Sequence, residues 1–158
     1  MGDYVCSLLA GTQTIPVTAD YHVVRFPYGT EPYDAHGMHN AAQPDGAMSA
    51  YPDARSGLIW PQHDAWAHLY ALMYWEAEDY TELRDRFVRD PLGLSTGYDS
   101  TCTEDRALTP GGQYIAKSWA MFVHPGTPIG LLVKHNAAVP VKLTLAEFKL
   151  SYHRCEHS

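Results

Sequence analysis

Apolar and polar positions alternate with a period of two over several short stretches, and turn residues separate those stretches. Tyr21, Val23 and Arg25 stand against His22, Val24 and Phe26, as in a strand with one buried face. Ile129, Leu131 and Val133 form a second series, which ends at a predicted turn over 136–140. Beyond it Val141, Leu143 and Leu145 share one parity, and Phe148, Leu150 and Tyr152 share the other. A one-residue slip turns every side chain over, so a turn or bulge is predicted at 145–147, joining two strands or bending one. Pro27 with Gly29, Pro44 with Gly46, Pro91 with Gly93, Pro110 with Gly112 and Pro125 with Gly126 punctuate the chain. Such punctuation marks many short strands, as in a sandwich or barrel. The chain has 11 prolines, which argues against several long helices, because Pro removes a donor and clashes with the preceding turn.

The middle of the chain is ambiguous. In residues 65–78, AWAHLYALMYWEAE, Trp66, Leu69, Tyr70 and Met73 fall at helical spacing. The same stretch alternates, with Trp66, His68, Tyr70, Leu72 and Tyr74 against Leu69, Ala71, Met73 and Trp75. Periodicity alone leaves both open. The density of aromatic residues favours a strand buried on both faces. Residues 79–108 show little patterning; Arg84, Arg86 and Arg89, interleaved with Glu82, Asp85 and Asp90, suggest a solvated strand or loop face.

Taken in order, the segments resemble the jelly roll of complement globular heads and tumour-necrosis-factor-like proteins, in the form seen in phage virion proteins. VTADYHVVRF followed by YDAHGMHN is similar to the paired early strands. SGLIWPQHDAWAHLYALMYWE resembles the central strand pair, GGQYIAKSWAMFVHPGTPIGLLVKHN the late strands, and VPVKLTLAEFKLSYHR the closing hairpin. The likeness spans roughly 17–154 and departs where the family usually has a Gly-Asp turn, since this chain has Pro125, Gly126, Thr127 and Pro128. It implies a strand over 65–78 and an all-β, antiparallel jelly-roll β-sandwich of tumour-necrosis-factor-like type. Residues 17–158 are expected as one domain and 1–16 as an N-terminal arm or first strand, suited to docking on a shell or a neighbouring subunit. The resemblance also implies homotrimers that pack edges and aromatic faces around a threefold axis. Trp66, Tyr70, Tyr74, Phe148 and Tyr152 are the residues expected at a trimer or partner interface.

Charge and candidate chemistry narrow the function. The formal net charge is −7, and the basic residues form no run, which argues against a nucleic-acid partner. No apolar stretch has the length of a membrane span, and residues 1–10 lack the pattern of a standard export signal, so assembly in a host cytoplasm is expected. Cys6, Cys102 and Cys155 are odd in number and include no CxxC pair; small buried hydrophobes are the preferred reading. His36 and His39, beside Asp34, are the candidate metal ligands. With no HxH or HExxH pattern to supply more of the three or four ligands that zinc requires, hydrogen-bonded loop histidines are the preferred reading. His63 and His68 lie five apart, on opposite faces of a strand, and Cys155 and His157 are near the C-terminus. No nucleophile elbow or phosphate loop is present, and the carboxylate pairs Glu76 with Glu78 and Glu104 with Asp105 suit solvated strand ends.

The expectation is therefore a non-enzymatic structural protein with no cofactor. It would be a trimeric decoration or minor capsid protein on a virion surface, binding a major capsid protein or other virion proteins and stabilising a phage shell. The alternative is a tail-associated receptor- or glycan-binding module, with Tyr51 or Trp60 stacking on sugars. A metal-dependent, cupin-like enzyme is the third reading.

Overall fold

A computed structural model describes residues 2–94, 100–107, 109 and 111–154. The alternating stretches fold as strands: β1 (Gly2–Ala10), β2 (Gln13–Ile15), β3 (His22–Val23), β4 (Ala65–Trp75), β5 (Glu82–Arg89), β6 (Ser100–Ala107), β7 (Gln113–Val123), β8 (Ile129–His135) and β9 (Val141–Arg154). Helix among the described residues is confined to one 3-10 turn, Ala54–Gly57, where the Asp53 side chain accepts from the Ser56 amide. One sheet runs β1-β9-β4-β7, with β2 also on β9; the other runs β3-β8-β5-β6. Every strand pair is antiparallel, and the two sheets face each other as a jelly-roll sandwich.

β4 resolves the helix-or-strand ambiguity as strand. Its inward side chains Ala67, Leu69, Ala71, Met73 and Trp75 are buried, whereas Trp66, His68 and Tyr70 point outward and are exposed. The expectation of burial on both faces is thus corrected: within one copy, only one face of this sheet has a partner layer.

The parity switch near the C-terminus is a bulge, and the closing hairpin expected there is one continuous strand. The pairing of β4 with β9 passes from Tyr74 opposite Leu145 to Trp75 opposite Leu143, leaving Thr144 as the extra residue. Leu143 and Ala146 therefore both face inward although their spacing is odd. This lets β9 pair with β2 over Val141 to Leu143 and with β1 over Ala146 to Arg154. Residues 2–10 are thereby held along β9 as a sheet strand, so this stretch is not a free docking arm.

The two layers are joined by aromatic packing and by a pair of hydrogen bonds between one side chain and the backbone. Phe148 on β9 lies 6.2 Å from Phe26 and 5.9 Å from Phe87 on β5, measured between ring centroids, and all three are fully buried. Gln13 in the first sheet donates from Nε2 to the Arg25 carbonyl and accepts from the Arg25 amide, both at 3.0 Å. Close packing reaches the backbone at Gly57, where a Cβ would lie 2.0 Å from the Val24 carbonyl oxygen.

β5 overturns the solvated-face reading of its charges in part. Arg84 and Arg86 are partly exposed, but Asp85 shares the inward parity of Leu83 and Phe87 and is 1% exposed. Alternation places a residue on a face without regard to its charge, and Asp85 is kept there by two cationic partners, Arg106 on the neighbouring strand β6 and Lys117 across the sandwich.

Candidate functional site

The outward face of the first sheet carries an aromatic surface built by the register of β4 and β7. Trp66 stands opposite Phe122 and Tyr74 opposite Tyr114, while Ala120, Ser118 and Ala116 face His68, Tyr70 and Leu72 between them. The Trp66 and Phe122 rings meet edge to face at 4.9 Å, and those of Tyr74 and Tyr114 at 4.5 Å. Between these two pairs the small side chains leave a groove of about 510 Å³ lined by Tyr70, Leu72, Ala116, Ser118, Glu147 and Lys149. Trp66, Tyr70, Tyr114 and Phe122 remain 49%, 46%, 67% and 60% exposed. Large, half-exposed aromatic side chains are thus gathered on this one face. The outer face of the other sheet is different in character: Arg86 stacks its guanidinium 3.6 Å from the Tyr21 ring, and Arg84 pairs with Glu82 and Asp105.

Of the five residues expected at an interface, Trp66, Tyr70 and Tyr74 lie on this outward face. Phe148 and Tyr152 do not. The bulge in β9 turns both inward, leaving Phe148 fully buried and Tyr152 3% exposed, so neither presents its ring to a partner. Tyr114 and Phe122 were missed because β7 was not divided into faces. The alternation of Tyr114, Ala116, Ser118, Ala120 and Phe122 against Ile115, Lys117, Trp119 and Met121 carried the signal.

The metal candidates are held apart. His39 is buried, with Nδ1 2.7 Å from Glu31 Oε2 and Nε2 2.6 Å from the Ser56 carbonyl, so both ring nitrogens are engaged with acceptors. The Asp34 carboxylate accepts from the amides of Met38 and His39, closing the loop. His36 instead stacks on Tyr4, with ring centroids 4.1 Å apart. Among the described residues no group of three or more His, Cys, Asp or Glu is placed to hold an ion. Cys6 is buried, which pushes its thiol far up, and Cys102 is partly buried; Cys155 and His157 lie outside the described residues.

His36 belongs to an aromatic cluster at one end of the sandwich. Tyr4 stacks on Tyr152 at 5.0 Å and meets His63 at 4.6 Å, and His63 Nδ1 lies 2.9 Å from the Tyr152 hydroxyl. Burial, with Arg154 and His36 nearby, holds the His63 imidazole below its ordinary range. Burial likewise raises the Tyr152 phenol, despite the hydrogen bond from the Gln62 amide. Of the two sugar-stacking candidates, Tyr51 is 43% exposed, but Trp60 is 2% exposed and packs in the interior.

No family model and no curated protein matches the chain. Solved structures do share its fold. The globular domain of zebrafish complement 1qA protein is similar over 98% of this chain and 99% of its own, with a TM-score of 0.61 at 10% identity. A structure of murine APRIL is similar over 96% of this chain and 100% of its own, with a TM-score of 0.63 at 10% identity. The Eiger TNF of S. frugiperda covers 99% of this chain and 96% of its own, with a TM-score of 0.56 at 12% identity. At such identities the likeness is one of fold: the chain has the jelly roll of complement globular and tumour-necrosis-factor-like domains.

Proposed function

We propose that the protein is a non-catalytic structural module that works as a homotrimer, with the aromatic face of β4 and β7 as its subunit interface. The observation that carries this reading is the row Trp66, Tyr70, Tyr114 and Phe122, each with about half or more of its surface uncovered on the sheet face that lacks a covering layer. A second copy supplies that layer without any new element, and closed cyclic symmetry buries the same patch on every subunit. The fold likeness supports the same arrangement. In our reading the trimer decorates a phage capsid, on a virion surface, by binding the major capsid protein or another virion protein; the sequence resemblance to phage forms of this jelly roll supports that use.

Two measurements test the two levels separately. Sedimentation equilibrium of the purified protein is expected to give three times the chain mass, and a monomer at micromolar concentration overturns the trimer. Co-sedimentation with empty shells of the parent phage is expected to give saturable binding. A trimer that stays in the supernatant sinks the capsid assignment and leaves the trimer standing.

A further inference from the structure

Between the two sheets, at the side where β6 and β7 form their ends, lies a closed set of charges. Lys117 points inward from β7, and its side chain is 0% exposed, as against 1% for that of Asp85 on β5. The Lys117 ammonium lies 3.1 Å from Asp85 Oδ1 and 2.7 Å from Glu104 Oε1 on β6. Arg106 donates from Nε to Asp85 Oδ2 at 3.1 Å and from Nη2 to Oδ1 at 3.3 Å, and the same Nη2 lies 3.2 Å from Glu104 Oε2. The Phe87 ring is 5.3 Å from the Lys117 nitrogen, and Cys102 Sγ is 3.6 Å from it. The cluster follows from register: Asp85 pairs directly with Glu104 and Leu83 with Arg106, all on the inward face, while Lys117 stands beside Ala71 in the opposite sheet.

Other ion pairs of this chain, such as Arg55 with Asp45 and Lys149 with Glu147, are partly exposed to solvent. In the Lys117 cluster the amine nitrogen and the Asp85 carboxyl group are held against each other out of water, and a second carboxylate, that of the partly exposed Glu104, is in hydrogen-bond contact with the amine. Holding reactants in this way replaces a bimolecular encounter with an intramolecular one, and effective molarities reach about 10⁵ M or more in well-oriented cases. Keeping two ions dry also costs free energy that their condensation to a neutral amide would release.

We propose that Lys117 and Asp85 are joined by an intramolecular isopeptide bond, Nζ to Cγ, formed after folding with Glu104 as proton relay and Arg106 as the group that holds the carboxyl oxygens. Glu104 is present as a carboxylate, held below its ordinary range by the Lys117 hydrogen bond. It takes a proton from Nζ, and the freed lone pair attacks Asp85 Cγ. Negative charge gathers on the two Asp85 oxygens, where Arg106 already donates to both. The C–O bond to one oxygen breaks, and that oxygen leaves as water with two of the three protons that Nζ carried. The third proton stays on the amide nitrogen, and Glu104 returns to its starting state. No oxidant or co-reactant enters, and one positive and one negative charge disappear together. Glu104 and Arg106, both partly exposed, then remain paired with each other, so no buried ion is stranded. The product ties β7 of one sheet to β5 of the other, across a side where no strand ladder joins the two sheets among the described residues.

Intact mass spectrometry of the folded full chain, denatured just before injection, is the test. The expected mass is one water below that of the sequence. The tryptic digest should contain a branched peptide joining the Lys117 and Asp85 segments, uncut after Lys117. Lys117→Arg should restore the full mass. Asp85→Asn should give a chain one ammonia lighter, because the leaving group is then the carboxamide nitrogen, released as ammonia. Glu104→Gln should give full mass with a native circular dichroism spectrum, which separates the relay from a purely structural part. Wild-type protein at full mass with free cleavage after Lys117 overturns the proposal. So does a loss of water that maps elsewhere, such as a succinimide at Asp45.

Discussion

Replacing Tyr70 tests the proposed trimer at the middle of its aromatic face. Tyr70 lies beside Ser118 on β7 and Lys149 on β9, at the wall of the outer groove, and is 46% exposed in the single subunit. An aromatic side chain buries roughly 150–250 Å², so a neighbour that covers Tyr70 removes about 70–110 Å² of it from water. At about 25 cal/mol per Å² this is about 2–3 kcal/mol per subunit, which Tyr70→Ser would forfeit. Over three equivalent copies the loss is about 6–9 kcal/mol, enough to raise the overall dissociation constant by roughly four to six powers of ten. Tyr70→Glu adds the cost of desolvating a carboxyl group, about 2–7 kcal/mol per copy even when neutralised and left without a hydrogen-bond partner.

Sedimentation equilibrium over a hundredfold range of concentration is the assay. Tyr70→Glu is expected to be a folded monomer where the wild type is a trimer. The fold should survive because the side chain points away from the sandwich core. Leu132→Ser on β8, outward on the second sheet and opposite Arg86 on β5, is the control and should stay trimeric. A Tyr70→Glu protein that remains trimeric at the wild-type concentration would refute the placement of the interface. Dissociation of both variants alike would show that the effect comes through subunit stability.

Further predictions concern the subunit itself. Phe148→Ala removes the ring between Phe26 and Phe87 and should cost about 3–5 kcal/mol, read as a lower urea midpoint at unchanged slope. Gly57→Ala places a methyl 2.0 Å from the Val24 carbonyl oxygen and 2.7 Å from Val23 Cγ1; backbone must shift, and a loss of about 1–3 kcal/mol in urea unfolding is expected, whereas an unchanged midpoint would contradict the packing. Asp53→Ala removes the cap of the 3-10 turn and should cost about 1 kcal/mol by the same assay. The folded-state value of His63 lies below its ordinary 6.5, chiefly through burial, so the unfolded chain takes up the proton first. Stability is then full above that value and is lost as pH falls below it towards the folded-state value. His63→Phe should flatten the pH dependence of the urea midpoint between neutral and mildly acidic pH, leaving the share of His22, which burial and then Arg25 also lower. An unchanged slope with pH would exclude His63 as its source.

How much of this was legible in the sequence depends on what a period of two can report. It identified β4 as a strand once the aromatic density and the order of segments were added, and it located the bulge in β9 from a change of parity alone. It did not say whether that change was a hairpin or a bend, because both invert the pattern; the answer lies in β1 and β2 sharing one partner strand. Phe148 and Tyr152 were grouped with the outward aromatics for the same reason, since nothing in β9 itself says which face meets the core. His39, a candidate ligand, is a hydrogen-bonded loop histidine as preferred from the sequence, but a buried one. Its two acceptors, Glu31 and the Ser56 carbonyl, come from distant positions in a loop.

The two largest departures from expectation share one cause and meet on one strand. Alternation says which residues lie together, but burial is decided by what stands opposite. On β7 the outward set Tyr114 and Phe122 is apolar and uncovered, while the inward set includes Lys117, which is charged and buried. A sequence rule that sends aromatics in and charges out misjudges both sets. Each inversion carries an energetic cost that a strand serving only its own fold would not need: exposed rings forgo burial, and a buried ammonium must be matched by carboxylates. Both costs are offset if the outer set meets another subunit and the inner set condenses or pairs across the sandwich. β7 is also the last strand of its sheet, so it is where the subunit can add a neighbour on one face and a crosslink on the other without disturbing β9 and β4 at the centre.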